Sequence, residues 1–145
     1  SIPVIAAGGI ADVRGARAAV ALGADGIQVG TAYLLTPQAN ISDVHRQALL
    51  NAPDDSTVLT NLFTGRPARG ILNRLMREIG PLSDQAPAFP TAGGALMPLR
   101  AITDKAGISD FSNMWAGQSF RLSPPMGTAE LTRLLGHAAA GTPAT

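Results

Sequence analysis

The sequence predicts an α/β fold built on parallel strands, and three observations predict it. A short unbroken apolar run, residues 3–7, ends in Gly8-Gly9, as expected of a parallel strand buried on both faces. A helical segment with an apolar stripe follows. A second short strand, residues 26–29, then ends in Gly30-Thr31. Strand to strand takes about the thirty residues of a βαβ unit.

Each element has its local reason. Asp12 stands where an N-cap is needed. Val13, Ala16, Val20 and Ala24 mark the helix stripe, with Ala19 and Leu22 alongside, and Gly23 is a natural stop at C′. Asn40 or Ser42 can cap a helix running through Val44 to Leu50, which the turn-forming run from Asn51 to Asp55 ends. Residues 57–63 read as a strand, rich in β-branched and aromatic side chains. Residues 64–70 read as a loop. Residues 71–79 read as a helix with Ile71, Leu75 and Ile79 on one face and Gly80-Pro81 as its stop. Residues 81–98, rich in Pro, Ala and Gly, read as an irregular connection. Residues 99–105 can be helical. Pro124-Pro125 precedes a last helix, 128–137, capped by Thr128 and lined by Leu131, Leu134 and Leu135. Residues 141–145 read as a frayed tail.

Composition excludes several function classes. The apolar fraction is 46% and the net charge +1, and no basic stripe stands beside aromatic residues, so nucleic acid is not an expected partner. No apolar run approaches the roughly 20 residues of a membrane span. A cytoplasmic location fits. Cysteine is absent, which removes disulfides, thiolate nucleophiles and cysteine metal sites from this segment. The 145 residues suffice for a core but not for a complete (β/α)8 barrel, which takes about 250. The chain is therefore expected to begin in mid-domain.

The two glycine turns carry the chemistry. In barrel enzymes the working face lies at the carboxyl ends of the strands, and the last two strand-end loops often bind phosphate. Phosphate oxygens need several backbone N–H donors at once, and a Cβ would obstruct that approach. Gly8, Gly9 and Gly30 offer bare backbone, Thr31 a hydroxyl, and Gln28 an amide. A helix starting after Gly30-Thr31 would turn its positive end toward the anion. The plain alternative is that these glycines only make tight turns. A dinucleotide fingerprint does not fit the run from Gly8 to Val13, and a P-loop is absent.

Two longer motifs carry a resemblance. The run from Ala6 to Ile10, followed by the run from Gly23 to Thr31, resembles the end of many FMN-dependent barrels. The run from Thr64 to Gly70 and the run Asn113-Met114-Trp115-Ala116-Gly117-Gln118 look like the nitronate monooxygenase family, formerly called 2-nitropropane dioxygenases. The resemblance covers nearly the whole chain and implies the C-terminal portion of a TIM (β/α)8 barrel with a mostly helical extension. It implies FMN as cofactor, with Gly9 after the penultimate strand and Gln28, Val29, Gly30 and Thr31 closing on its phosphate. It implies an oxidoreductase acting on a small alkyl nitronate with molecular oxygen. It also implies that residues 1–63 are the last βα units, that 64–140 cover the flavin face, and that Trp115, Gly117 and Gln118 lie near the pocket. Homo-oligomerisation stays open.

The family's catalytic base is a histidine in an earlier barrel loop, and no residue here matches it. His45 and His137 read as ordinary exposed or helix-end histidines. Arg66 and Arg69 either meet an anionic substrate or the FMN phosphate, or belong to a solvated loop or to structural pairs with Asp54, Asp55 or Glu78. Trp115 either stacks near the flavin ring or anchors packing. Met97, Met114 and Met126 read as core filler, and Asp104, Lys105 and Asp110 as surface charges. No metal cluster is evident. Two enzymatic rivals remain: an FMN-dependent enoyl reductase using a nicotinamide cofactor, and a flavin-free phosphosugar isomerase or lyase. A third rival is an inactive product that only packs.

Overall fold

The parallel βαβ unit forms as the sequence predicts. In the computed structural model, which describes residues 2–141, β1 (Ile5–Ala7) pairs in parallel with β2 (Gly26–Gln28), setting Ile5 opposite Gly26 and Ala7 opposite Gln28. Asp25 fixes the entry to this pairing: its carboxylate accepts from the Val4 N–H at 2.8 Å, and its own N–H donates to the Val4 carbonyl at 2.8 Å. Between the strands runs α1 (Val13–Ala21), whose cap, Asp12, accepts from the N–H groups of Arg14 and Gly15. Its end is a Schellman turn. Gly23, at φ +100°, donates to Val20, and Ala24 donates to Ala19.

The N-terminal β-strand departs from expectation in its burial. Val4 is 60% and Ile5 54% exposed, because among the described residues β1 is paired only with β2.

Three helices complete this first unit's frame. The four-residue α2 (Thr31–Leu34) follows β2, and α6 (Thr128–Ala139) packs on α1. Ala16, Ala32, Leu131, Leu135 and Ala138 form the buried core, with Ile27 and Val29 against it. The alanines let the backbones approach closely, while each buried leucine contributes roughly 1.5–3 kcal/mol. Thr128 does not cap α6. Gly127 holds that position, and the Thr128 hydroxyl instead bonds Thr36 and Gln38.

The second unit begins with α3 (Asp43–Asn51), capped by Ser42, which accepts from the His45 N–H at 3.3 Å. Here the structure corrects two sequence boundaries. The strand read over 57–63 stops early, as β3 (Thr57–Thr60). The Thr60 hydroxyl accepts from Leu62 N–H, and Asn61 is tied through both ends of its amide to the Ser83 backbone, so the chain turns there. The segment read as a loop contains β4 (Ala68–Ile71), antiparallel to β3. Ile71 therefore belongs to a strand, paired with Thr57. The helix expected from residue 71 starts later, as α4 (Arg74–Ile79), because Asn73 caps it by accepting from Met76 N–H.

The Pro-rich connection is irregular until a 3₁₀ turn at Ala92–Leu96 leads into α5 (Met97–Thr103). Leu62, Phe63, Leu75 and Met76 form this unit's core. Met114 is buried too, whereas Met97 is 67% exposed and is not core filler. Asp104 and Asp110 are not bare surface charges, since Asp104 accepts from the Ser112 hydroxyl and Asp110 pairs with Arg74.

The chain thus forms two compact units, one made of residues up to Asn40 with those from Gly117 onward, the other of Ile41–Ala116. The sequence-read boundary at 63/64 falls inside the second. The tail read as frayed lies, from residue 142, outside the described residues. No helix among the described residues is long and apolar enough to cross a membrane.

Candidate functional site

The strand-end turns owe their shape to glycine in two different ways. Gly8 and Gly9 have φ of +91° and +70°, a region that residues with a Cβ rarely enter. They turn the chain sharply out of β1. Gly30 is different. Its φ is −114°, which side-chain-bearing residues adopt, and a Cβ built there meets nothing within 4 Å. Neither its conformation nor its packing requires glycine. The backbone there faces open space at the carboxyl end of β2.

A third segment of the first unit reaches these turns. The Gly117 N–H donates to the Thr31 hydroxyl at 3.0 Å. A Cβ at Gly117 would lie 3.6 Å from Thr31 Oγ1 and 3.9 Å from the Gly9 nitrogen. Ser119 Oγ lies 3.7 Å from where a Gly9 Cβ would stand. Gly9, Thr31, Gly117 and Ser119 therefore gather in one place, although the last two follow the first by about a hundred residues in sequence. Ser119 was not legible as a site residue; nothing in its local sequence marks it.

The electrostatics beside Gly9 suit an anion better than the sequence suggests. Asp12 would repel one, but Arg14 holds its carboxylate at 2.6 Å. Burial pushes the Asp12 pKa up, yet the Arg14 side chain and the N–H groups of Gly15 and Arg14 outweigh it, leaving the value below normal. Asp12 stays ionised and paired. The short α2, Thr31–Leu34, has too few aligned peptides for the dipole effect expected of it.

The other candidates divide. Gln28 is exposed at the end of β2, while Val29 is partly buried and packs against the core. Gln118 is exposed in the first unit. Trp115 belongs to the second unit, where it meets Phe63 edge to face at 5.7 Å and its residue bridges to Gly70 on β4. The arginines take structural partners, though not the expected ones. Arg66 lies 4.2 Å over the Phe89 ring, Arg69 donates to the Thr57 carbonyl at 2.9 Å, and Glu78 pairs with Arg74.

His45, in the first turn of α3, is half-buried rather than exposed, and its Nε2 lies 3.0 Å from the Trp115 carbonyl. A carbonyl only accepts, so Nε2 carries the proton. Burial pushes the His45 pKa down, against the opposing pull of that carbonyl. His137 is exposed in the last turn of α6. Among the described residues no group of three or more acidic, histidine or cysteine side chains is placed to hold a metal.

Comparison with known proteins shows what the whole chain resembles. The family model described as nitronate monooxygenase matches residues 1–136. A probable nitronate monooxygenase of Staphylococcus aureus (strain JH9) is 42% identical over 123 residues, covering 85% of this chain and 35% of that protein. A nitroalkane oxidase structure from Streptomyces ansochromogenes matches with a TM-score of 0.84 and 39% identity, over 97% of this chain and 40% of that one. FabK from Thermotoga maritima matches with a TM-score of 0.72 and 28% identity, over 97% of this chain and 45% of that one. The chain thus spans about a third of the length of the curated relatives it matches.

Proposed function

This chain belongs to the nitronate monooxygenase family, and from that premise we propose that its strand-end glycines hold the phosphate of FMN in an enzyme oxidising alkyl nitronates with molecular oxygen. In this reading β1 and β2 are the last two strands of a (β/α)8 barrel, whose carboxyl ends carry the site. The observation that carries the reading is Gly30. It is a glycine at a strand's carboxyl end that neither its backbone conformation nor any described neighbouring atom demands, which is what bare backbone kept for a phosphate would look like. Gly94 and Gly136 share that freedom, but they lie in a 3₁₀ turn and in the last turn of α6, neither at a strand end.

The residues fit a flavin phosphate. Gly8 and Gly30 would meet no atom if they carried a Cβ, so there is room beside bare backbone, and the Thr31 hydroxyl stands next to it. When bound, FMN supplies one-electron oxidation of the nitronate with oxygen as partner oxidant. The chain's own part is to bind and orient. Gly9, Gly30 and Thr31 offer donors to the phosphate, and Gln28 offers an amide to the ribityl chain or ring. Neither histidine stands at a strand end, so in this reading neither is the proton-accepting base, which the family resemblance places in an earlier barrel loop.

The test is direct. The purified full-length protein should carry flavin absorbance, bind FMN far more tightly than riboflavin, and consume oxygen when given an alkyl nitronate. A colourless protein indifferent to FMN would overturn the reading in favour of a flavin-free barrel. Bleaching of the flavin by NADH, without nitronate turnover, would replace it with a nicotinamide-dependent reductase.

A further inference from the structure

We propose that Gly117 completes the anion cradle begun by Gly9 and Thr31, as its third wall and as the group that aims the Thr31 hydroxyl proton at a phosphate monoester. The inference rests on the phosphate reading and deepens it. It moves Gly117 from the substrate end of the pocket, where its motif alone had placed it, to the phosphate end.

The first argument is the hydrogen bond. The Gly117 N–H donates to Thr31 Oγ1 at 3.0 Å. A hydroxyl has one proton and two lone pairs. With a lone pair taken by Gly117, the proton is left for an acceptor elsewhere, and a hydroxyl that accepts one bond becomes a better donor in the next. Thr31 is thereby held as a donor, which is what an anion needs.

The second argument is the space. The position of a Gly117 Cβ is 3.6 Å from Thr31 Oγ1 and 3.9 Å from the Gly9 nitrogen. Both are ordinary van der Waals distances, and Gly117 has no left-handed φ. The fold therefore has room for a methyl group there. The same spot lies beside a hydroxyl oxygen and a backbone nitrogen at once, and a methyl there would crowd an anion that reached for both. Nothing in the described fold forbids a side chain at Gly117, whereas a phosphate held between Gly9 and Thr31 would. Ser119 Oγ, on the same strap and beside Gly9, adds a hydroxyl to that wall.

The test titrates the purified, flavin-stripped full-length protein with FMN and with riboflavin, following flavin fluorescence. The variants are Gly117→Ala, Thr31→Val, Thr31→Ser and, as reference, Gly30→Val. Gly117→Ala and Thr31→Val should each weaken FMN binding roughly ten- to hundredfold, the worth of one hydrogen bond to a charged group. Riboflavin affinity should not change, and Thr31→Ser should restore most of the loss. If Gly117→Ala keeps FMN affinity within about twofold while Gly30→Val loses it, the role of Gly117 is overturned and the phosphate site stands. Equal weakening of FMN and riboflavin would reduce Gly117 to a structural part and overturn it too, as would failure of Gly117→Ala to fold. A wild type that binds both flavins alike overturns the phosphate reading and this inference together.

Discussion

Replacing Gly30 by valine separates a folding role from a binding role, because the structure assigns the two very different magnitudes. A side chain at residue 30 meets nothing within 4 Å, and φ of −114° is open to it. Removing a glycine restricts the unfolded chain and stabilises by about 0.4–1 kcal/mol. Against that, Gly30 precedes α2 as its N-cap, and valine is a poorer cap than glycine by up to about 1 kcal/mol. The two nearly cancel, so the melting temperature should move by no more than a few degrees. Binding should suffer far more. Branched methyls at Gly30 would screen the neighbouring N–H donors from a phosphate, and two lost bonds to a charged group are worth roughly 3–6 kcal/mol. That is about a hundred- to ten-thousandfold in affinity. The assay is flavin occupancy after purification, then FMN titration of the stripped protein, with Gly30→Ala as a graded intermediate. A Gly30→Val protein that melts normally and keeps its full FMN complement would refute the argument that this glycine is there for a ligand.

Two further outcomes follow from the second unit. Trp115→Ala should lower stability by about 1–3 kcal/mol, below the usual cost of truncating a fully buried aromatic, because the partly buried ring meets Phe63 edge to face against the core of Leu62 and Met76; altered nitronate kinetics at an unchanged melting temperature would instead make it a pocket residue. His45 takes up its proton less readily folded than unfolded, so below its ordinary value of about 6.5 the unfolded chain binds the proton first and stability falls with pH. His45→Gln, whose amide can still donate to the Trp115 carbonyl, should therefore lose less melting temperature between about pH 7 and 5 than the wild type, and parallel slopes would sink that assignment.

How much of this was legible in the sequence depended on how local the cause was. Asp12, Gly23 and Ser42 act within one turn of their own helices, and their caps could be read directly. The β1–β2 pairing followed from two apolar runs at the spacing of one crossover. The β3–β4 hairpin was missed because its cause is distant. Asn61 turns the chain by bonding to Ser83, Gly65 is hemmed in by the backbone of Ala88 and Phe89, and β4 is held on its far side by Met114 and Ala116. Thr128 was misread for a related reason. It is a good cap by type, but its hydroxyl is claimed by Thr36 and Gln38, some ninety residues earlier. The strap from Gly117 to Ser119 could not be read from sequence at all, since its position on Gly9 and Thr31 is a product of the fold.

The glycines show how a structure can sort residues that a sequence leaves alike. Gly8, Gly9, Gly23, Gly65 and Gly80 are required by a left-handed φ. Gly70 and Gly93 are required by crowding, since a Cβ would stand 2.9 Å from the carbonyl oxygens of Met114 and Phe63 respectively. These are debts to the chain's own geometry, and they would exist in a protein that bound nothing. Gly30 and Gly117 belong to neither class. Each tolerates a side chain as far as the described atoms are concerned, and each borders the donors Gly9 N–H and Thr31 O–H or the strand end that presents them. A glycine tolerated by nothing in the fold is explained by the fold. On the reading proposed above, a glycine the described fold could replace, set beside hydrogen-bond donors at a strand's carboxyl end, leaves room for a phosphate, and the Gly30→Val and Gly117→Ala titrations decide it.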